Sequence, residues 1–505
     1  MTLFGTDGVR GRASNTEVSD PLREYSENRV FSKELCGEIG YCASLLSGPG
    51  EVVIGWDRRP YNHWMASHLA GRLSAHEGEI SLIGEISTPA LQHEMTSRGA
   101  ALGIMITASH NPASDSGLKL FLRNGRKLTR SEELQIESRM FDKDPEVSVN
   151  LTLEEGHCRS YMDFISKEIQ ACVEDGLFPE SEVLIDSSGG WMATWLVDLM
   201  TFHGVACREV SDRSDSINQN CGAGSLREGK LSWDECRDSN HALLREVQPS
   251  TRGRIIGFCF DGDGDRCFAV CSLGDCAIVV GGDGFLRLFL DGKKDDSPFT
   301  VSLTIESSLD LSEAVGKFPN GKLIETGVGD RWLQHALMED SSESQIGSEP
   351  SGHVVLKRYL EDKTGFWGDG VATMLEFLRL VDSSGANWID ICSPGGSYTK
   401  SGSVSPSRRS LWEPHGETGI LAKEATRSFF KLQPDQVSDM DILGEDGLLM
   451  MRFNDGDDWS VAIRNSGTEE KTRVTIRTTS EDGVKLDLAL NHIISSLGDV
   501  LSKEN

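Results

Sequence analysis

Cations are scarce in this chain. Its 505 residues hold 50 Lys and Arg against 79 Asp and Glu, a formal charge of −29. Such a surface repels nucleic acid and anionic membrane, so neither is expected as a partner. A protein of this charge that handles an anion must gather its few cations locally, which makes each Arg or Lys inside a Gly/Ser loop informative. No apolar run approaches the ~20 residues of a membrane span. The opening residues, MTLFGTD, carry neither the basic nor the apolar segment of a secretory signal, which predicts a cytoplasmic protein. No C-x-x-C pair occurs among the 12 cysteines, and Cys267, Cys271 and Cys276 lack zinc-site spacing. Cys259, Cys267 and Cys271 lie in apolar runs and read as reduced core thiols.

What is present is length, a 38% hydrophobic content and 53 glycines. The length exceeds one domain and suggests three or four, at ~100–200 residues each. Residues 51–57, 80–83 and 102–106 read as strands. Between them lie a helix carrying Met65, Leu69 and Leu73 on one face and a helix starting near Thr88. Strand–helix alternation of this kind predicts a parallel, doubly wound sheet. Residues 141–157 are charged and unpatterned and mark a first boundary. A second unit starts at residues 183–186 and turns into a helix at 191–200, followed by an irregular stretch over 211–253. A third contains the strand 255–260, a return strand and helices at 283–290 and 371–380. Residues 394–416 read as a linker or long loop. After it come a hairpin (448–453 and 459–463), a strand at 473–477 and a terminal helix. The predicted architecture is three similar doubly wound α/β domains (1–150, 151–252 and 253–388) and a C-terminal α+β domain, 389–505.

Four polar loops carry chemistry. Thr107-Ala108-Ser109-His110-Asn111-Pro112 presents a serine at the end of an apolar strand, as a nucleophile or phosphoryl carrier would be; alone, it reads as an ordinary turn, and the three later loops tip the reading to a carrier. Asp261-Gly262-Asp263-Gly264-Asp265-Arg266 sets three carboxylates that repel unless a cation neutralises them, and since hard divalent ions prefer oxygen ligands, Mg²⁺ is expected. A calcium loop needs Gly at its sixth position and Glu at its twelfth, where Arg266 and Ser272 stand. Arg464-Asn465-Ser466-Gly467-Thr468-Glu469 offers a guanidinium, hydroxyls and a glycine backbone for a phosphate, with Arg473 as a second cation. Gly347-Ser348-Glu349-Pro350-Ser351-Gly352-His353 could meet sugar hydroxyls through Glu349 and Ser351 and move a proton through His353. The segment 5–11 is a glycine-rich loop with one arginine, Arg10.

In this order, FGTDGVRG, TASHNP…GLK, DGDGDR, GSEPSGH and RNSGTE resemble the signature loops of the α-D-phosphohexomutase superfamily over essentially the whole chain. The resemblance implies four domains around a central cleft, each supplying one loop. It implies a phosphoserine at Ser109 whose phosphate oxygen, with Asp261, Asp263 and Asp265, holds one Mg²⁺ per active site. Lys119 and Arg10 would lie beside the transferring group, and His353 would move the proton. Glu349 and Ser351 would meet the sugar, while Arg464, Ser466, Gly467 and Thr468 would hold the non-reacting phosphate. The implied reaction is two phosphoryl transfers through a hexose bisphosphate, which also serves as activator. The partner would be a small sugar phosphate, bound by a monomer or homodimer. FGTDGVRG and GVGDR are most similar to the phosphoglucosamine mutase branch, which implies glucosamine 6-phosphate and glucosamine 1-phosphate. Pro350 and Glu470 depart from that pattern, and phosphomannomutase or phosphoglucomutase chemistry is the alternative. A non-catalytic sugar-phosphate binder would be expected to lose Ser109, an Asp of the triplet or His353, and all are present.

Overall fold

Local sequence sets the elements around the serine loop. In the computed structural model, Leu102–Ile106 is a strand with every residue buried, as an uninterrupted apolar run requires of a central strand. It lies parallel to Val52–Trp56 and antiparallel to Asp115–Leu122. The structure describes residues 3–73, 76–141, 151–153 (backbone only), 158–293, 297–360, 363–393, 397–445, 447–465 and 471–502. The chain forms two compact units, Met1–Lys293 with Ser351–Ser393, and Lys294–Pro350 with Pro394–Asn505.

The first unit carries two whole sheets and, in its Ser351–Ser393 segment, the antiparallel strands Val354–Leu360 and Lys363–Gly368. One sheet runs Val30–Phe31, Val9–Ala13, Asp115–Leu122, Leu102–Ile106, Val52–Trp56, Ile80–Glu85 and Leu151–Leu153. Its parallel centre is the predicted alternation of strand and helix, with Asn62–Arg72 and Thr88–Arg98 as crossovers. The segment expected to be an unpatterned boundary contributes the edge strand Leu151–Leu153; residues 142–150 and 154–157 lie outside the described residues. The second sheet runs Cys207–Glu209, Val183–Asp186, Ile255–Phe260, Cys267–Ser272, Cys276–Val280 and Gly229–Ser232. The stretch 211–253, expected to be irregular, holds Gly229–Ser232 and the helices Trp233–Asp238 and Ala242–Glu246. Ser232 and Glu235 form a reciprocal cap there, a signature visible in the sequence. The helix expected over 191–200 is split. A 3₁₀ turn, Trp191–Thr194, precedes Leu196–Phe202, and the break at Trp195 (φ −148°) packs its indole against Trp191 and Tyr161.

In the second unit, Phe299–Thr304 lies parallel to Gly321–Thr326 on one side and Ser344–Ser348 on the other. An antiparallel sheet follows, in the order Tyr398–Val404, Thr472–Thr478, Asp458–Asn465, Leu449–Asn454 and Ser438–Asp439. Ile463, Val474, Ile476 and Trp459 form its core with Leu486, Leu490, Ile493 and Leu497 of the terminal helix Gly483–Leu501. The predicted hairpin and final strand are there. The predicted linker is not, because residues 398–404 are the sheet's edge strand. An edge strand facing water keeps a polar composition, and its hydroxyls pair across strands, Ser401 with Thr475 at 2.9 Å. The fold is therefore three mixed α/β sheets followed by an antiparallel C-terminal sheet.

Candidate active site

Ser109 caps the strand Leu102–Ile106 in a left-handed turn, φ +52°, a conformation that needs outside support in a non-glycine residue. The support is a buried network that the sequence reading missed. Asp57, just beyond the strand Val52–Trp56, accepts hydrogen bonds from Arg59 Nε (3.0 Å), Thr107 Oγ1 (2.6 Å) and Asn62 Nδ2 (2.6 Å). Burial pushes its carboxyl up, against the pull of Arg59. The Arg59 guanidinium donates to the carbonyls of Ser109 (2.6 Å), Asn111 (2.9 Å) and Asp115 (3.0 Å), and to that of Pro112. Asn218 Nδ2 reaches Ser109 O at 2.8 Å. Arg58 and Arg59 lie in Asp57-Arg58-Arg59-Pro60-Tyr61-Asn62, a segment without Gly or Ser, so nothing in the local sequence sets them apart as loop cations.

Ser109 Oγ donates to Asp261 Oδ2 at 2.7 Å, so the serine and the acidic loop meet. The loop leaves the strand Ile255–Phe260 and folds back on itself, with Asp261 Oδ1 accepting from the amides of Asp265 (3.1 Å) and Arg266 (3.2 Å). Asp263 Oδ2 accepts from Thr88 Oγ1 at 2.5 Å. Lys119, buried on the strand Asp115–Leu122, lies 2.8 Å from Asp263, 2.5 Å from Asp265 and 3.0 Å from Asp7. Burial acts to lower its pKa, yet these carboxylates raise it well above the usual lysine value and hold it as an ammonium.

The three carboxyls do not ionise alike. Burial and the two neighbouring aspartates push Asp261 up to about 8. Burial acts on Asp265 in the same direction, but Lys119, His353 and Arg266 pull it to about 2. Lys119 likewise lowers Asp263. Lys119 and Arg266, the latter 3.8 Å from Asp261, are cations set against the triplet. The ligand atoms of Asp261, Asp263 and Asp265 lie within 4.8 Å of one another. Asp263 Oδ1 and Asp265 Oδ1 are buried without hydrogen-bond partners. An all-oxygen donor set with orphaned lone pairs fits a hard divalent cation.

Arg10 reaches this group through Asp7, 3.1 Å away, which also pairs with Lys127 at 2.6 Å. Burial would raise Asp7, but Lys119, Lys127 and Arg10 hold it well below the usual carboxylate range. Gly8 allows this approach: a Cβ there would stand 2.0 Å from Leu118 O. His353 places Nδ1 3.8 Å from Asp265 Oδ1, and its backbone bridges Arg266. Gly368 must be bare, since a Cβ would fall 2.0 Å from His353 Nε2. His110, beside Ser109, stays neutral: burial, Arg266 and Arg10 depress it to about 2. Ser351 is half-buried two residues before His353.

In the second unit, Glu349 accepts from the amide of Gly329 at 2.8 Å, joining the sugar-loop and GVGDR motifs. Arg464 pairs with Glu445 at 3.1 Å and lies 3.8 Å from Glu306, which is 3.7 Å from Arg473. The two predicted phosphate-binding arginines thus share one carboxylate. Ser466, Gly467 and Thr468 lie outside the described residues.

Residues 1–146 match the family described as phosphoglucomutase/phosphomannomutase, alpha/beta/alpha domain I, and residues 282–394 match its alpha/beta/alpha domain III. A phosphoglucosamine mutase of Solibacter usitatus is 28% identical, over 99% of this chain and 98% of its own length. Among solved structures, a phosphoglucomutase/phosphomannomutase family protein from Burkholderia thailandensis has a TM-score of 0.68 at 18% identity, covering 100% of this chain and 98% of that one. The N-acetylphosphoglucosamine mutase of Aspergillus fumigatus, solved with GlcNAc-6P and magnesium, gives 0.59 at 15% identity, covering 99% and 96%. The chain belongs to the α-D-phosphohexomutase superfamily. Its activity is that of a phosphohexomutase, an intramolecular phosphotransferase. No helix among the described residues is long and apolar enough to cross a membrane.

Proposed function

We propose that this protein interconverts glucosamine 6-phosphate and glucosamine 1-phosphate through a phosphoserine at Ser109 and a hexose bisphosphate intermediate. The observation that carries the reading is the left-handed turn that sets Ser109 Oγ 2.7 Å from Asp261 Oδ2, with Lys119 bound to the same carboxylate cluster. The choice of sugar is supported by the 28% identity to a phosphoglucosamine mutase over almost the full length of both chains.

The acceptor hydroxyl of the sugar attacks the phosphorus on Ser109; a new P–O bond forms, the bond to Oγ breaks, and His353 takes the hydroxyl proton. The second transfer runs the same step in reverse with the sugar's other phosphate, which restores the phosphoserine. Asp261, Asp263 and Asp265 would hold Mg²⁺, which when bound neutralises charge on the phosphoryl oxygens. Lys119 and Arg10 supply positive charge beside the transferring group, and the Asp57–Arg59 network fixes the serine's position. Glu349 and Ser351 each meet a sugar hydroxyl. Arg464 and Arg473, with Ser466 to Thr468, bind a phosphate.

The test is a substrate panel. Purified protein with Mg²⁺ and a hexose 1,6-bisphosphate is given glucosamine, mannose or glucose 6-phosphate. A kcat/KM for glucosamine 6-phosphate at least ~10-fold above the others supports the reading. Preference for a neutral hexose moves the assignment to phosphomannomutase or phosphoglucomutase chemistry and implicates Pro350. No turnover of any of the three contradicts it.

A further inference from the structure

At the base of the acidic loop, and apart from its carboxylates, three ligating side chains from distant parts of the sequence face one another. Asp186 ends the strand Val183–Asp186, His241 precedes the helix Ala242–Glu246, and Cys259 lies in the strand Ile255–Phe260; all three are buried. Asp186 Oδ2 is 3.7 Å from His241 Nε2 and 3.5 Å from Cys259 Sγ, and the sulfur is 3.9 Å from the nitrogen. The 3.7 Å separation is too long for a hydrogen bond. Bonds of ~2.0–2.3 Å at tetrahedral angles, by contrast, set ligand atoms ~3.4–3.6 Å apart. All three sides of this triangle come within a few tenths of an ångström of that range.

We propose that Asp186, His241 and Cys259 form a second metal site, which takes a Zn²⁺-class ion. The donor set separates it from the carboxylate triplet: sulfur, imidazole and one carboxylate favour a borderline-soft ion, where three carboxylates favour Mg²⁺. No Lys or Arg pairs with Asp186 among the described residues, and beside two backbone amides its carboxylate meets only the Cys259 thiol, which donates to Oδ2, and His241. The orientation of the carboxylate is fixed, with Ser188 N donating to Oδ1 and Gly222 N to Oδ2, each at 2.9 Å. The Gly222 carbonyl, within hydrogen-bond reach of His241 Nε2 at 3.2 Å, is a candidate fourth ligand. Nδ1 of His241 is buried without a partner, so no hydrogen bond fixes the ring tautomer from that side. On binding, the thiol proton leaves to solvent and the imidazole proton resides on Nδ1. The ion would tie two adjacent strands and the His241 segment together two residues before Asp261, anchoring the loop that meets Ser109. This site is independent of the sugar-phosphate reading.

The full-length protein is dialysed with Zn²⁺ or Co²⁺ in excess Mg²⁺, then assayed by elemental analysis and absorption spectroscopy. One Zn²⁺ per chain is expected, with a thiolate-to-cobalt charge-transfer band in the Co²⁺ form. Both signals should vanish in Cys259→Ser and His241→Gln and persist in Asp261→Asn, with circular dichroism confirming each fold. If Cys259→Ser fails to fold, His241→Gln and the cobalt band of the parent decide. Absence of stoichiometric binding overturns the proposal. So does binding that survives both substitutions, which would mean an adventitious ion on other cysteines, or binding lost only in Asp261→Asn.

Discussion

Lys119 is the residue on which the electrostatics of the site turn. It sits 1% exposed among Asp7, Asp263 and Asp265, closer to their carboxylates than Arg266 or His353 come to the triplet. Removing it takes away the nearest compensation for these buried like charges. Lys119→Met should therefore destabilise the ion-free protein by ~3–5 kcal/mol. Mg²⁺ should restore a larger share of stability than it adds to the parent, because the ion then supplies the missing charge. Denaturant unfolding with and without Mg²⁺ measures both quantities. Equal stability of variant and parent in the absence of the ion would contradict this electrostatic account.

At the scale of elements, the serine turn is held by Arg59, whose planar fork spans four backbone carbonyls. Lysine keeps the charge but not the fork. Arg59→Lys should cost ~2 kcal/mol of stability and ~10²-fold in kcat through displacement of Ser109. Unfolding and steady-state kinetics report the two effects separately. A second element-scale prediction concerns the helix Gly282–Asp291. Burial and the nearby Asp283 push Glu228 from 4.5 up to about 8, and Arg287 offsets this only in part. The folded chain thus binds a proton that the unfolded chain has released across that window, so this carboxyl makes stability fall as pH rises through it. Glu228→Gln should flatten the decline in Tm over the window relative to the parent. An unchanged slope would show that the carboxyl ionises normally in the fold.

Much of this was legible in the sequence, for physical reasons. The run 102–106 is apolar throughout and became a wholly buried strand, and the turn at Asn454-Asp455-Gly456 joins the predicted hairpin. The acidic loop declared itself because three carboxylates at alternate positions between apolar strands need a cation. The edge strand Tyr398–Val404 was hidden because only one of its sides is paired, so its sequence stays polar. The Asp57–Arg59 support and the Asp186–His241–Cys259 cluster were hidden for another reason. Arg59 meets the carbonyls of the serine turn, and Asp186, His241 and Cys259 meet one another, only through the folded sheets, and spacing along the chain carries no trace of that.

At the scale of the whole molecule, a chain of net charge −29 that works on sugar phosphates must concentrate its positive charge in a few built places. In the first unit that place is Lys119, Arg10 and Lys127 around Asp7. In the second it is Arg464 and Arg473 around Glu306. The central claim is that the phosphoryl group travels by way of Ser109. Its most direct test is intact-protein and peptide mass spectrometry after incubation with Mg²⁺ and a hexose 1,6-bisphosphate, followed by a chase with glucosamine 6-phosphate. One added phosphoryl group is expected, located on Ser109 and discharged by the chase. Ser109→Ala, folded by circular dichroism, should take up none and have almost no mutase activity. Full activity in Ser109→Ala, or a phosphoryl group on another residue that the chase discharges, would contradict the central claim.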